Sequence, residues 1–437
     1  MKKIYCLLVI ITVAIALNSC QKFDAINFGK HSSSFEKNAD ASVPIDWYKL
    51  QVRILLERNS ALNGVYFGYI GIGLYEAVRN GIPNSVSLSS KLYQMPEMPA
   101  KQNGGKYDWQ VSANAAMAAM VRGFYAGLTP ANMTSIDSLE NAWNQKLTAG
   151  TSAEIFNRSQ AYGRSIATAI HDWYLTDDLN ATNAGYVPPV FAGAWVPTPP
   201  AYVNPPVNPF IGSSRPYLSS DLNVVGPAPI PYSEETNSAF YKMVKDVYDI
   251  SLSLTPEQKN IALYWVDNGN GVGLTTGGHE IFIITQIIEQ LHSDLGTAAE
   301  AYAKAGIAER DAVILCFRSK YTYTLIRPVS YIQKLIDPAW LPFIVTPPHP
   351  EYPAAHAFVT GSVMQAVTNV LGEHISFTDH SYDFRGWAPR SFNTIFAAAE
   401  EAGLSRFYGG IHYIPSINIG LSLGKDLGNR VGGIKLH

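Results

Sequence analysis

Three segments in the last third of the chain concentrate side chains able to hold and act on an anion. The first is Lys320-Tyr-Thr-Tyr-Thr-Leu-Ile-Arg327-Pro328. On a continuous helix seven residues make two turns to within about 20°, which stacks Lys320 and Arg327 on one face, with Pro328 helping to end the helix. Two stacked cations call for an anion between them, although the same pattern is the ordinary one of a solvated helix face. The second segment is His349-Pro-Glu-Tyr-Pro353-Ala354-Ala355-His356, which leads into an apolar-periodic run from Phe358 to Leu371. Pro353 suits a first helical position, which would leave the N–H groups of Ala354, Ala355 and His356 unpaired and open to an anion. The third is Ser405-Arg406-Phe-Tyr-Gly409-Gly410-Ile-His412, where the glycine pair lets the chain curl so that Arg406 and His412 can face one point.

Taken together these residues form one kit. Lys320, Arg327 and Arg406 are fixed cations, the helix start adds N–H donors, and both suit a tetrahedral oxyanion. His356 and His412 supply a nucleophile or ligand and a general acid–base group.

In this order, Lys-x6-Arg-Pro, Pro-Ser-Gly-His and Ser-Arg-x5-His form the signature of the superfamily that joins vanadium-dependent haloperoxidases to type-2 phosphatidic acid phosphatases, and the chain resembles a member. Lys320, Arg327 and Pro328 match the first motif, and Ser405, Arg406 and His412 the third. The middle motif departs at two positions: Ala354 lacks the hydroxyl that relatives place on the oxyanion, and Ala355 narrows the approach. More loosely, Trp265-Val-Asp267-Asn-Gly and Gly277-Gly-His279-Glu280 resemble a loop of haloperoxidase-like members. For the haloperoxidase branch the resemblance implies vanadate bound axially by His412. Lys320, Arg327, Arg406 and the Ala355 N–H would hold its equatorial oxygens. His356 would act on the apical oxygen as hydrogen peroxide binds, and halide would become hypohalous acid. His349 stands where bromide-oxidising relatives carry a histidine, whereas Phe317 departs from the best-known halide sites; Asp267 is expected to pair with Arg406 or Lys320. For the phosphatase branch the resemblance implies no cofactor: His412 attacks the phosphorus of a phosphate ester and His356 protonates the leaving alcohol. A third reading is a non-catalytic oxyanion-binding lipoprotein. The long helical portion before the motifs and the lack of several spanning helices favour the haloperoxidase branch.

The elements that must position these residues are helical. Apolar residues recur at helical spacing over Trp47–Arg79 (with a break near Asn63-Gly64), Trp109–Gly127, Ala131–Leu147, Ser152–Leu175, Glu234–Ser251 and Pro256–Val266. The pattern continues over Ile281–Leu291, Gly296–Thr324, Pro353–Leu371, Ser391–Gly403 and Ser416–Val431. The expected fold is mainly α: two packed helical bundles, residues 46–187 and 233–437, joined by a long connection at 188–232. That connection holds 12 of the 27 prolines and several aromatic residues, so it should wrap the body, with a lip over the site as the alternative.

Composition narrows the class. Of 437 residues 47% are hydrophobic and only 15% charged, with net charge −3 and no basic run, which argues against disorder and against a nucleic-acid partner. Lys2 and Lys3 precede an apolar run from Ile4 to Leu17 that ends at Leu17-Asn-Ser-Cys20. This pattern is a secretory signal over residues 1–19, and its ending resembles a bacterial lipobox in which Cys20 takes the lipid. Residues 20–45 then form a tether, and the protein is expected as an exported bacterial lipoprotein anchored to a bilayer, periplasmic or at the cell surface. Of the three cysteines, Cys316 lies among apolar residues and is expected to pack. Glu373, His374, Asp379 and His380 are a weaker candidate for metal binding and more often form a polar loop.

Overall fold

Serine, threonine and aspartate side chains set where most helices begin. In the computed structural model, which describes residues 39–57, 64–125, 127–177, 183–267 and 273–437, the helices are α1 (Ser42–Leu56), α2 (Gly64–Val78), α3 (Trp109–Phe124), α4 (Pro130–Thr148), α5 (Ala153–Tyr174), α6 (Ala239–Ser251), α7 (Pro256–Tyr264), α8 (Thr276–Gln290), α9 (Leu295–Tyr323), α10 (Pro328–Leu335), α11 (Ala355–Leu371), α12 (Ile395–Tyr408) and α13 (Ile414–Gly432). Asp108, Thr129, Ser152, Ser238, Thr255, Thr275, Asp294 and Thr394 each accept a first-turn N–H. Such a cap is worth about 1 kcal/mol. The signal, Cys20 and most of the tether lie outside the described residues. Folded chain is in place from residue 39, ahead of the expected boundary at 45: Ala41 N–H donates to Ser293 O, and Leu295 N–H to Ala39 O. No helix among the described residues is long and apolar enough to cross a membrane.

At the centre lies α9, 29 residues long and buried along most of its length. Its small residues, among them Ala298, Ala301, Ala305, Gly306 and Ala312, let helices approach on several sides, as a core helix requires. α2 from the first half of the chain and α11 from the second both pack on it, and the described residues form one compact unit. α11 is in turn enclosed by α12 and α13. Among the described residues β-structure is confined to one antiparallel pair, β1 (Phe377–Asp379) with β2 (Arg390–Phe392).

The proline-rich connection wraps this centre. Tyr217 and Leu218 N–H donate to the Asp311 carboxylate (2.6 and 2.8 Å), and Gly226 N–H to Ser319 Oγ (2.9 Å). Proline has no N–H to satisfy, so a proline-rich strap can lie on a helix with few such contacts. The strap also braces the loop before α11, through Val207 N–H to Pro348 O (3.0 Å) and Tyr352 OH to Pro227 O (2.8 Å).

The local geometry differs from the expected one in three places. Lys320 and Arg327 do not share a helix. α9 stops at Tyr323 because Thr324 is left-handed (φ 45°, ψ 40°), and Trp195 and Ile326 N–H then bond Thr324 O and Gly193 O. Arg327 becomes the N-cap of α10, and Pro328 opens that helix where it was expected to end the previous one. Pro353 is not the first residue of α11 either. Ala354 is the extended N-cap (φ −68°, ψ 115°) and its N–H donates to Ser416 O, so the open donors begin at Ala355. Finally, α12 runs through Gly403 to Tyr408 and carries Arg406. A Cβ at 403 would stand 3.1 Å from Ile417 Cγ2 and 3.3 Å from Ala357 Cβ, so this glycine serves close packing, and the turn comes at Gly410 (φ 76°).

Candidate active site

His412 sits in the turn between α12 and α13, buried, with a defined tautomer. Arg327 Nη1 lies 3.2 Å from its Nε2, and a guanidinium can only donate, so Nε2 accepts. The proton therefore rests on Nδ1, which donates to Glu351 Oε1 at 2.7 Å. The same oxygen accepts Tyr413 N–H (3.1 Å). Burial, then the Arg327 and Lys320 cations, hold the His412 pKa well below 6.5, so the ring is neutral with a lone pair on Nε2. That is the form a metal ligand or a nucleophile needs.

Arg327 faces this lone pair, and Lys320 and Arg406 are close enough to act on the ring through their charge. Arg327 is fully buried and also donates from Nε to His349 O (2.9 Å), from Nη1 to Ile411 O (2.8 Å) and from Nη2 to His349 Nδ1 (3.1 Å). Arg406 is held by Ser405 Oγ at Nε (3.0 Å) and by Trp265 O at Nη2, and no described residue claims its Nη1. Burial pulls both guanidinium groups down to about 10. Lys320 Nζ gives its three donors to Pro350 O, Glu351 O and Pro353 O (3.0, 2.8 and 2.6 Å), and burial with the Arg327 charge lowers it to about 7. It thus knots the loop that carries Glu351 to the start of α11.

His356 stands in the first turn of α11, where Ala355, His356 and Ala357 N–H have no partner within the helix. Its Nε2 lies 3.5 Å from Thr276 Oγ1 and 3.9 Å from Asp267 Oδ2. Burial first and then Arg406 keep its pKa well below 6.5. Asp267 does not bond Arg406 or Lys320 as expected. Its Oδ1 accepts from His279 Nδ1 (3.0 Å) and Tyr382 OH (2.8 Å), and its charge supports that of Arg406 without a direct hydrogen bond. The His349 ring packs tilted against Phe317, with centroids 5.2 Å apart and planes at 52°. Ala354 is buried in an apolar cluster with Ala357 and Ile417.

The structure thus gathers Lys320, Arg327, His349, Ala355, His356, Arg406, Asp267 and His412 around the start of α11. Cys316 packs as expected, buried with its Sγ 3.8 Å from Pro353 O. Asp379 and His380 do not form a metal site: Asp379 is taken by His279, and His380 pairs with Asp383 (2.8 Å). No group of three or more potential metal-ligating side chains occurs among the described residues. Two residues escaped the sequence reading. Glu351, which orients His412, is the lone acid of the His349-Pro-Glu-Tyr-Pro353 stretch; Thr276, beside His356, carries no signal in sequence.

A tetrahedral oxyanion fits this donor set. The His412 lone pair, the Arg406 guanidinium and the open N–H groups at the start of α11 are all in the site, where burial first and the nearby cations second keep three histidines neutral. Comparison with known proteins agrees. Residues 300–434 match the family model described as the second helical-bundle domain of vanadium chloroperoxidase. The first bacterial vanadium-dependent iodoperoxidase superposes with a TM-score of 0.81 at 31% identity, covering 90% of this chain and 96% of that one. This chain belongs to the vanadium haloperoxidase superfamily. Holo and apo bacterial vanadium-dependent chloroperoxidases share the fold at 15% and 16% identity, with TM-scores of 0.68 and 0.64, covering 91% and 86% of this chain and 98% and 93% of theirs. No curated protein matches by sequence.

Proposed function

We propose that this chain is a vanadate-dependent haloperoxidase, oxidising a halide with hydrogen peroxide to hypohalous acid. One observation carries the reading: His412 presents a neutral Nε2 lone pair, fixed by Glu351, toward Arg327. His412 would ligate vanadium, and Arg327, Arg406 and the Ala355 N–H would hold vanadate oxygens. Bound vanadate would supply Lewis-acid activation of peroxide toward halide. The chain's own residues do the rest. Glu351 keeps the proton on His412 Nδ1, so Nε2 stays a ligand. His356, neutral and beside Asp267, can take a proton from incoming peroxide and return it to product. Lys320 holds the loop between His349 and His356 in place. The iodoperoxidase likeness makes iodide the first halide to test.

The test is one sample and three assays: titrate apoprotein with vanadate, then measure iodide and bromide oxidation and phosphate-ester hydrolysis. Vanadate-dependent halide oxidation supports the proposal. Ester hydrolysis without it returns the site to a phosphohistidine enzyme. We also propose export and lipid anchoring at Cys20, supported by the Lys2-Lys3 and Ile4–Leu17 pattern. Cys20→Ala should release the protein from the membrane fraction; an unchanged distribution refutes it.

A further inference from the structure

Behind the site lies a second ionisable cluster that the proposed chemistry leaves unused. His279, on α8, is fully buried between two carboxylates: Nδ1 is 3.0 Å from Asp267 Oδ1, and Nε2 is 2.9 Å from Asp379 Oδ2. Tyr382 OH bonds Asp267 (2.8 Å) and Tyr264 OH bonds Asp379 (2.9 Å). The Trp265 ring lies 4.5 Å from the His279 ring. Each end of this cluster reaches the site. Asp267 is the carboxylate beside His356, and the Trp265 carbonyl holds Arg406.

We propose that His279 is a positioning residue that, as an imidazolium, clamps Asp267 and through it sets the place of His356. The reason is donor arithmetic. An imidazolium has two N–H groups, one for each carboxylate. A neutral ring has one, so either Asp267 or Asp379 would face a lone pair at about 3 Å and move away. Asp267 has a further reason to depend on the clamp: it sits at φ 43°, a left-handed conformation that a non-glycine residue holds only when its surroundings fix it.

The groups facing His279 agree with a permanent charge. Burial alone would lower its pKa, but Asp267 and Asp379 outweigh this and raise it to about 10. Glu280 and His356 lie close enough to feel the charge, and Arg406 and Tyr382 act on the cluster through Asp267. Asp379 stays ionised through His279 and Ser381.

The test uses Asp379→Asn, which touches no reacting group and meets Asp267 through His279. In the wild-type protein without vanadate, nitrogen NMR of labelled histidine should show both His279 nitrogens protonated from pH 5 to 9. A neutral His279 in wild type at pH 8 overturns the proposal without any variant. Losing one of two carboxylate partners should lower the His279 pKa in Asp379→Asn by about 1–3 units. The His356 resonances should then match wild type at low pH and depart from it as His279 loses its proton. His356 resonances that ignore that step overturn the proposal. The kinetic arm rests on the proposed halide oxidation: the alkaline limb of kcat should move to lower pH in Asp379→Asn, with activity regained on acidification. An equal loss at every pH marks a structural role and overturns the proposal. If wild type oxidises no halide while the NMR arm holds, the clamp stands and the activity reading fails.

Discussion

Glu351 makes His412 a one-sided ligand. Buried, it is pushed up to about 7 by desolvation, against the pull of Lys320 and Arg327. Glu351→Gln keeps the shape but removes the charge that favours a proton on Nδ1. Outer partners of this kind are worth about 10–100-fold in metal affinity or activity. We therefore expect vanadate affinity to fall by roughly that factor, read by titration of the apoprotein; unchanged affinity would show that Arg327 alone fixes the tautomer. The two histidines should separate. His412→Ala should abolish vanadate binding. His356→Ala should bind vanadate but turn over about 10²–10⁴-fold more slowly, as for a lost general acid–base group. Equal loss of binding in both variants would contradict these roles. The residues in this pocket were largely legible in sequence because charge is scarce in the chain, so Lys320, Arg327, Arg406, His356 and His412 stood out. What could not be read was their bonding. That Lys320 spends all three donors on carbonyls depends on a loop 30 residues away folding back against it.

Helices were easier to find than to end. Amphipathic spacing located most of them, but α10, only eight residues long, lies beyond the expected helix Gly296–Thr324 and was not among those expected. Its separation follows from the left-handed Thr324, a tertiary effect of pairing with residues 193–195. Glycine misled in the opposite sense, since Gly403 lies within α12 to allow contact. The same logic runs along α13, where Gly420, Gly424 and Gly428 recur every fourth residue. A Cβ there would come within 2.9 Å of Ala354 O, 2.6 Å of Phe358 O and 2.5 Å of Gln365 Cβ. This stripe sets how closely α13 lies on α11, and so where the Ala355 and His356 N–H groups stand relative to His412. Gly424→Ala gains about 1 kcal/mol of helix propensity but collides with backbone that cannot yield easily. Overpacking of this kind typically costs about 1–3 kcal/mol, so the variant should be less stable in urea unfolding and bind vanadate more weakly. A variant as stable as wild type would mean the two helices can separate without loss.

Across the whole molecule, the buried charge is unusually concentrated on α8 and α9, and it ties stability to pH. Glu280 and Glu309 are both buried. Burial raises Glu280 from 4.5 to about 8 and Glu309 well above 4.5. For a carboxyl raised in the folded state, the unfolded chain ionises first. The contribution to stability is then fully present below pH 4.5 and is lost as pH climbs toward 8. The neutral histidines 349, 356 and 412 slope the other way: the unfolded chain takes up protons below about pH 6.5 while the folded chain does not. The two sets oppose each other in the wild-type curve, so a difference measurement cancels the histidines and reads Glu280 together with its effect on Glu309. Glu280→Gln ionises in neither state and keeps the side-chain volume. Relative to wild type it should gain stability steadily from pH 4.5 to 8, on the order of a few kcal/mol, since each pKa unit is worth about 1.4 kcal/mol. Urea unfolding of both proteins at pH 5 and pH 8 reads this directly. If the two stay a constant distance apart, Glu280 is ionised in the folded protein at pH 8 just as in the unfolded chain, and a partner for its charge lies in the core between α8 and α9.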